Sequence, residues 1–116
     1  MIETILIDYL NSKLIPEVYA ERPIDIPEKY VLIEKTGTSR ENMITTSVIA
    51  IQSVVDALQG GSMLDAMDLN EDVKEAMEGL IALDEIVQVT LNSDYNYTDD
   101  STKEYRYQAV YQITHY

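Results

Sequence analysis

Cysteine, tryptophan and phenylalanine are absent from this 116-residue chain, histidine occurs once, and there are only four glycines and three prolines. Without cysteine there is neither a disulfide framework nor a thiolate-bound metal, which suits a reducing cytosol. His115, the one histidine, stands next to the last residue, so a Ser-His or Cys-His nucleophile system has nothing to build on and a conventional zinc site lacks ligands. No apolar run approaches the roughly 20 residues that span a bilayer. Met1-Ile2-Glu3 also lacks the basic start of a signal peptide. The expectation is a soluble chain made in the cytoplasm, with no membrane partner. Basic residues are scarce as well: 8 against 21 acidic ones give a formal charge of -13. That charge repels phosphates and argues against direct nucleic-acid binding. There is no GxGxxG and no Walker sequence, and Gly60-Gly61 alone does not indicate a phosphate site.

What the chain does have is tyrosine, nine of them, and a length that forms one domain over residues 1–116. Two runs near the end alternate with a period of two, the pattern of strands with one buried and one wet face. In the first, Val87, Val89, Leu91, Tyr95 and Tyr97 form the apolar set; in the second it is Tyr105, Tyr107, Ala109, Tyr111 and Ile113. Thr98-Asp99-Asp100-Ser101-Thr102 between them is turn chemistry, so Ile86 to Tyr116 is predicted to fold as a long antiparallel hairpin. A hairpin alone is marginal in water, so the preceding residues must cover its apolar face.

Those residues divide readily. Ile2, Ile5, Leu6, Tyr9 and Leu10 recur at helical spacing and predict a short amphipathic helix over residues 2–12. Leu14 to Tyr19 reads as extended, with Pro16 placing it at a sheet edge. Pro23 and Pro27 bracket a loop around Ile24-Asp25-Ile26. Tyr30–Thr36 is β-rich and ends at Gly37. A turn is predicted over Thr38–Asn42, followed by a second strand over Met43–Val55 whose blurred alternation indicates cover on both faces. Ser62 and Asp65 have capping-box spacing. From there Ala66, Leu69, Val73, Ala76, Met77 and Leu80 make the stripe of a main helix over Ser62–Leu83. Its other side is acidic, with Asp65, Asp68, Asp72 and Glu75 in one row, and its one base, Lys74, faces Glu71 or Glu78. The predicted class is therefore α+β: a mainly antiparallel sheet with the main helix on one face, a short N-terminal helix and a long C-terminal hairpin.

The chemistry these residues offer is contact, not reaction. Asp94 to Asp100 has alternate oxygen ligands like those of a calcium loop. That loop needs Gly at its sixth place and Glu at its twelfth, whereas Asp99 and Tyr105 stand there. No cofactor, metal or catalytic residue is expected, and no enzymatic activity; paired carboxylates here lack the flanking groups that acid-base work requires. The candidate interaction residues are Tyr95 and Tyr97, exposed beyond the reach of one helix and rimmed by Asp94, Asp99 and Asp100, and Asp68 and Asp72, a dock for a basic partner. The tip from Asn92 to Lys103 is expected to be mobile until it meets a neighbour.

The element order, with three phrases, resembles a known family. Pro27-Glu28-Lys29-Tyr30-Val31-Leu32-Ile33-Glu34-Lys35-Thr36-Gly37, Val48-Ile49-Ala50-Ile51-Gln52-Ser53, and Tyr95-Asn96-Tyr97-Thr98-Asp99 running into Glu104-Tyr105-Arg106-Tyr107-Gln108-Ala109-Val110 are similar to small tail-completion proteins of prophages from low-GC Gram-positive bacteria. These are related in architecture to the tail terminator of phage lambda. The resemblance spans nearly the whole chain and implies a structural virion protein: a homo-oligomeric ring, six-fold like the tail tube, that caps the tail and joins it to the head. It implies three partners, which are other copies of the chain, the tail tube protein and the head-tail connector protein. It places the protein at the head-tail junction of the virion, after assembly in the host cytoplasm. An acidic interaction module such as a DNA mimic, or a head-completion connector protein, is the alternative.

Overall fold

The apolar stripe of the first helix and the β-rich runs build one layer of sheet and one of helices. The computed structural model describes residues 1–99 and 101–116. Helix α1 (Ile2–Asn11) and strand β1 (Val18–Tyr19) lead into a long hairpin of β2 (Lys29–Glu41) and β3 (Ile44–Asp56). Helix α2 (Met63–Glu78) follows, and the chain closes with a second hairpin, β4 (Ile86–Asn96) and β5 (Glu104–His115). The sheet order is β1-β2-β3-β5-β4, antiparallel except for the β1 and β2 pair. The fold is α+β, as predicted.

Both helices lie on one face. Directly opposed residues share a face, so Val31, Ile33, Ile49, Ile51, Ala109, Tyr111 and Ile113 form the floor on which Leu6, Leu10, Leu69, Val73 and Met77 pack. The Tyr9 hydroxyl donates to the Ala76 carbonyl at 2.6 Å and ties the two helices together. The predicted capping box is formed: the Asp65 amide donates to Ser62 Oγ, and the Ser62 amide to the Asp65 carboxylate. Gly60 precedes it at φ +90, where a side chain is strained, and a Cβ on Gly61 would collide with Val55 and the Asp56 backbone. The break at Gly60-Gly61 is thus a steric requirement of the turn into α2.

Several boundaries differ from those predicted. Strand β2 runs on through Gly37 to Glu41, with a bulge at Thr36, and the turn is Asn42-Met43 instead of Thr38–Asn42. Glycine and polar residues there do not break pairing, because β3 supplies a partner for each. The main helix ends at Glu78, and Leu80–Ala82 continues as a single 3-10 turn. The edge strand shrinks to Val18–Tyr19, since Pro16 has no amide hydrogen to give.

The far face of the sheet was read as wet, yet much of it is covered. Strand β3 is buried almost throughout from Ile49 to Asp56, which fits its blurred alternation. The loop after β1 folds over the far face at one end. There Tyr19 meets Tyr30 edge-on at 6.0 Å, and Gln59 donates to the Ile26 carbonyl. Two buried tyrosines have phenols pushed up to about 12, chiefly by burial: Tyr30, which also faces Glu104, and Tyr111. Because the unfolded value is about 10, their contribution to stability is complete below pH 10 and is lost as pH rises toward 12. The urea midpoint is accordingly expected to fall across that interval, and Tyr111→Phe to remove part of the fall. A midpoint unchanged up to pH 12 would contradict the burial of both phenols.

Candidate functional site

The hairpin tip and the outer side of α2 carry the candidate residues. Sequence periodicity places Tyr95 and Tyr97 in the register of Val87, Val89 and Leu91, but β4 has two bulges, between Ile86 and Gln88 and between Leu91 and Ser93. Each bulge inserts a residue and shifts the alternation by one. Ile86, Val89 and Leu91 consequently face the helices, Asp94 pairs with Ala109 on that same side, and Tyr95 pairs with Gln108 on the opposite face. Val87 stands in the first bulge, 40% exposed.

Tyr95 and Tyr97 are 41% and 48% exposed, as expected, and their rings meet edge-on at 6.1 Å. Tyr95 is not a free contact residue, however, because its hydroxyl accepts a 2.6 Å hydrogen bond from buried Gln108. Asp99 is exposed but engaged within the turn: its carboxylate accepts from the amide and hydroxyl of Ser101, which hold it below the usual carboxylate range. Asp100 lies outside the described residues. The tip makes further internal hydrogen bonds, from the Tyr97 amide to the Arg106 carbonyl and from the Arg106 amide to Thr98 Oγ1. The Ala57 amide also donates to the Lys103 carbonyl.

Asp68 and Asp72 are exposed on α2, as predicted, on the helix side of the sheet, whereas Tyr95 lies on the opposite face. Asp72 borders a groove of about 680 Å³ between α2 and the end of α1, together with Tyr9, Lys13, Ile15 and Lys29. Lys74 does not pair with Glu78. It reaches Glu71 at 2.8 Å and, across to β4, Asp94 at 2.8 Å. Asp94 was read as part of the tip's polar rim; it is instead a fastening between helix and strand, since it also accepts from Asn70.

A second groove, of about 760 Å³, runs between α2 and β4. Ile81, Val87 and Leu91 expose 50%, 40% and 41% of their surface there, and Glu71, Glu75 and Glu78 line its helix side. No sequence pattern marks it, because these apolar members come from two separate elements, the turn at Leu80–Ala82 and β4, and Val87 is turned outward only by a bulge. Strand β4 is also the outermost strand, so its outer backbone edge lies beside this groove.

The sequence matches no protein-family model and no curated protein. Ser47 Oγ lies 2.9 Å from His115 Nε2, a pairing the sequence reading did not anticipate. Ser47 is 1% and His115 8% exposed, and the other ring nitrogen faces the Tyr116 carbonyl, not a carboxylate. This is a hydrogen bond closing the sheet end, with no nucleophile presented to a substrate. Among the described residues, no group of three or more His, Asp or Glu is placed to hold a metal ion. The surfaces that could take a partner are the two grooves, the exposed tyrosines and the outer edge of β4.

Proposed function

We propose that this chain is a ring-forming structural subunit that caps a phage tail and joins it to the head. Its partners are other copies of itself in a six-fold ring, the tail tube protein and the head-tail connector protein. The observation that carries the reading is the pair of unlike free edges at opposite sides of one sheet. Among the described residues, β4 is unpaired along its outer side, and β1 covers β2 only at Val31 and Leu32, leaving the rest of that edge open. A head-to-tail ring needs two different patches on each subunit, unlike a two-fold dimer, which uses one patch twice. The similarity of the three sequence phrases to tail-completion proteins supplies the biological setting.

Thirteen net negative charges oppose self-association at low salt and are screened as salt rises. Native mass spectrometry is therefore expected to show monomer at low ionic strength and a closed ring at higher salt or on added tail tubes. Monomer under all of these conditions would end the ring reading. Tyr97 gives the cleaner probe of the tip, since losing Tyr95 also deprives buried Gln108 of its partner. Tyr97→Ser is expected to leave the melting temperature nearly unchanged and to lower the yield of infectious particles, with headless tails accumulating. Full yield would reduce the tip to a turn.

A further inference from the structure

The β2–β3 turn contains a residue that local chemistry does not explain. Asn42 and Met43 both have positive φ, 51 and 70. A two-residue hairpin turn of this kind favours Asn followed by Gly, because the second position crowds any Cβ. Asn42 suits its place. Met43 does not, and the side chain that causes the strain is 74% exposed, so little packing within its own subunit offsets it. Beside it, Arg40 is exposed, its guanidinium 3.9 Å from the Met43 sulfur. The turn lies past Thr45, the last β3 residue paired with β5, and so projects from the body of the sheet.

The groove between α2 and β4 has the complementary make-up. Its apolar residues Ile81, Val87 and Leu91 are exposed, and Glu75 and Glu78 line it, while Lys74 is already engaged by Glu71 and Asp94. A methionine is unbranched and adapts to irregular apolar surfaces, and a guanidinium beside it would meet the carboxylates. The turn cannot reach the groove of its own chain, because β5 stands between β3 and β4. We infer that Met43 and Arg40 of one copy insert into the α2–β4 groove of the next, forming the repeated head-to-tail contact of the ring. The inference rests on the ring reading above and names the two surfaces that meet.

Met43→Gly tests it, since glycine relaxes the turn while removing the inserting side chain. In salt where the wild-type protein assembles, the variant is expected to melt at the same or a higher temperature, yet to associate at least tenfold more weakly by sedimentation velocity. The chain has no cysteine of its own, so a second measurement is available. Met43→Cys and Val87→Cys proteins, mixed and oxidised, are expected to give a disulfide-linked dimer that neither gives alone. Rings of unchanged affinity in Met43→Gly, or no cross-link in a mixture that assembles, would overturn this contact and leave the ring reading standing. A wild-type protein that never assembles removes both.

Discussion

Glu104→Ala is expected to cost about 3–5 kcal/mol, the range seen when one partner of a buried ion pair is removed. Against a total stability of roughly 5–15 kcal/mol for a domain, that lowers the urea midpoint by about a fifth or more. The Glu104 side chain is 2% exposed and holds three groups. Tyr30 donates to one carboxylate oxygen at 2.8 Å; Arg106 reaches the other at 2.8 Å, with Arg22 at 3.4 Å. From Arg106 the network continues across the sheet. Its Nη1 donates to Gln52, Gln52 donates to Gln108, and Gln108 to Tyr95. Alanine would leave a guanidinium that is 15% exposed facing no buried carboxylate, and its Nε already lacks a partner. The Tyr30 hydroxyl would lose its acceptor in a dry site. Replacing both members, Glu104→Leu with Arg106→Met, removes the stranded charge and should cost less than Glu104→Ala alone. A single variant with a wild-type midpoint, or a double variant worse than the single, would show that the charges do not carry this contact.

The network also marks where sequence reasoning stops. Period-two alternation located β4 and β5, β-rich composition located β2 and β3 although β2 runs on from its predicted end at Thr36 to Glu41, and the 3.6-residue stripe located α2, because burial on one face repeats regularly along an element. Ser62 and Asp65 revealed their cap because the cap is local. Arg106 and Gln108 alternate with the apolar set of β5 and so were expected on a wet face, since alternation distinguishes two faces without saying what covers either. The loop after β1 and the side chains' own mutual hydrogen bonds cover this one. Bulges are equally silent: nothing about Val87 or Asn92 announces that β4 shifts register there, and each shift moved the expected face of the residues beyond it. For the interaction surfaces, exposure of Tyr95, Tyr97, Asp68 and Asp72 was legible. Their separation, and the groove formed by Ile81, Val87 and Leu91, depends on how α2 crosses the sheet. Met43 was legible in principle, since it follows Asn where glycine is the usual choice, but only once the turn is known to be two residues long.

Asp94→Ala is expected to loosen α2 from β4, and the pH dependence of the loss separates its two causes. One Asp94 carboxylate oxygen accepts from Asn70 Nδ2 at 3.0 Å and from Lys74 Nζ at 2.8 Å. Asn70 is 1% exposed and its carbonyl oxygen already has no partner, so the variant leaves a buried amide with neither end satisfied, at about 1–3 kcal/mol. Lys74 keeps Glu71, which is 68% exposed, and its share is nearer the 0–1 kcal/mol typical of surface pairs. The hydrogen bond from Lys74, then that from Asn70, holds the Asp94 carboxyl below the usual carboxylate range, against the opposing effect of burial. A folded-state value below the unfolded one, about 3.9, means that this stabilisation is present above pH 4 and is lost as pH falls through the folded value. Wild type and Asp94→Ala should therefore differ most near neutral pH and draw together in acid. If the gap between their urea midpoints stays constant from neutral pH down past the carboxylate range, ionisation of Asp94 contributes nothing and shape alone joins the helix to the strand. A gap that closes as pH falls assigns the fastening to the charged carboxylate that Asn70 and Lys74 share.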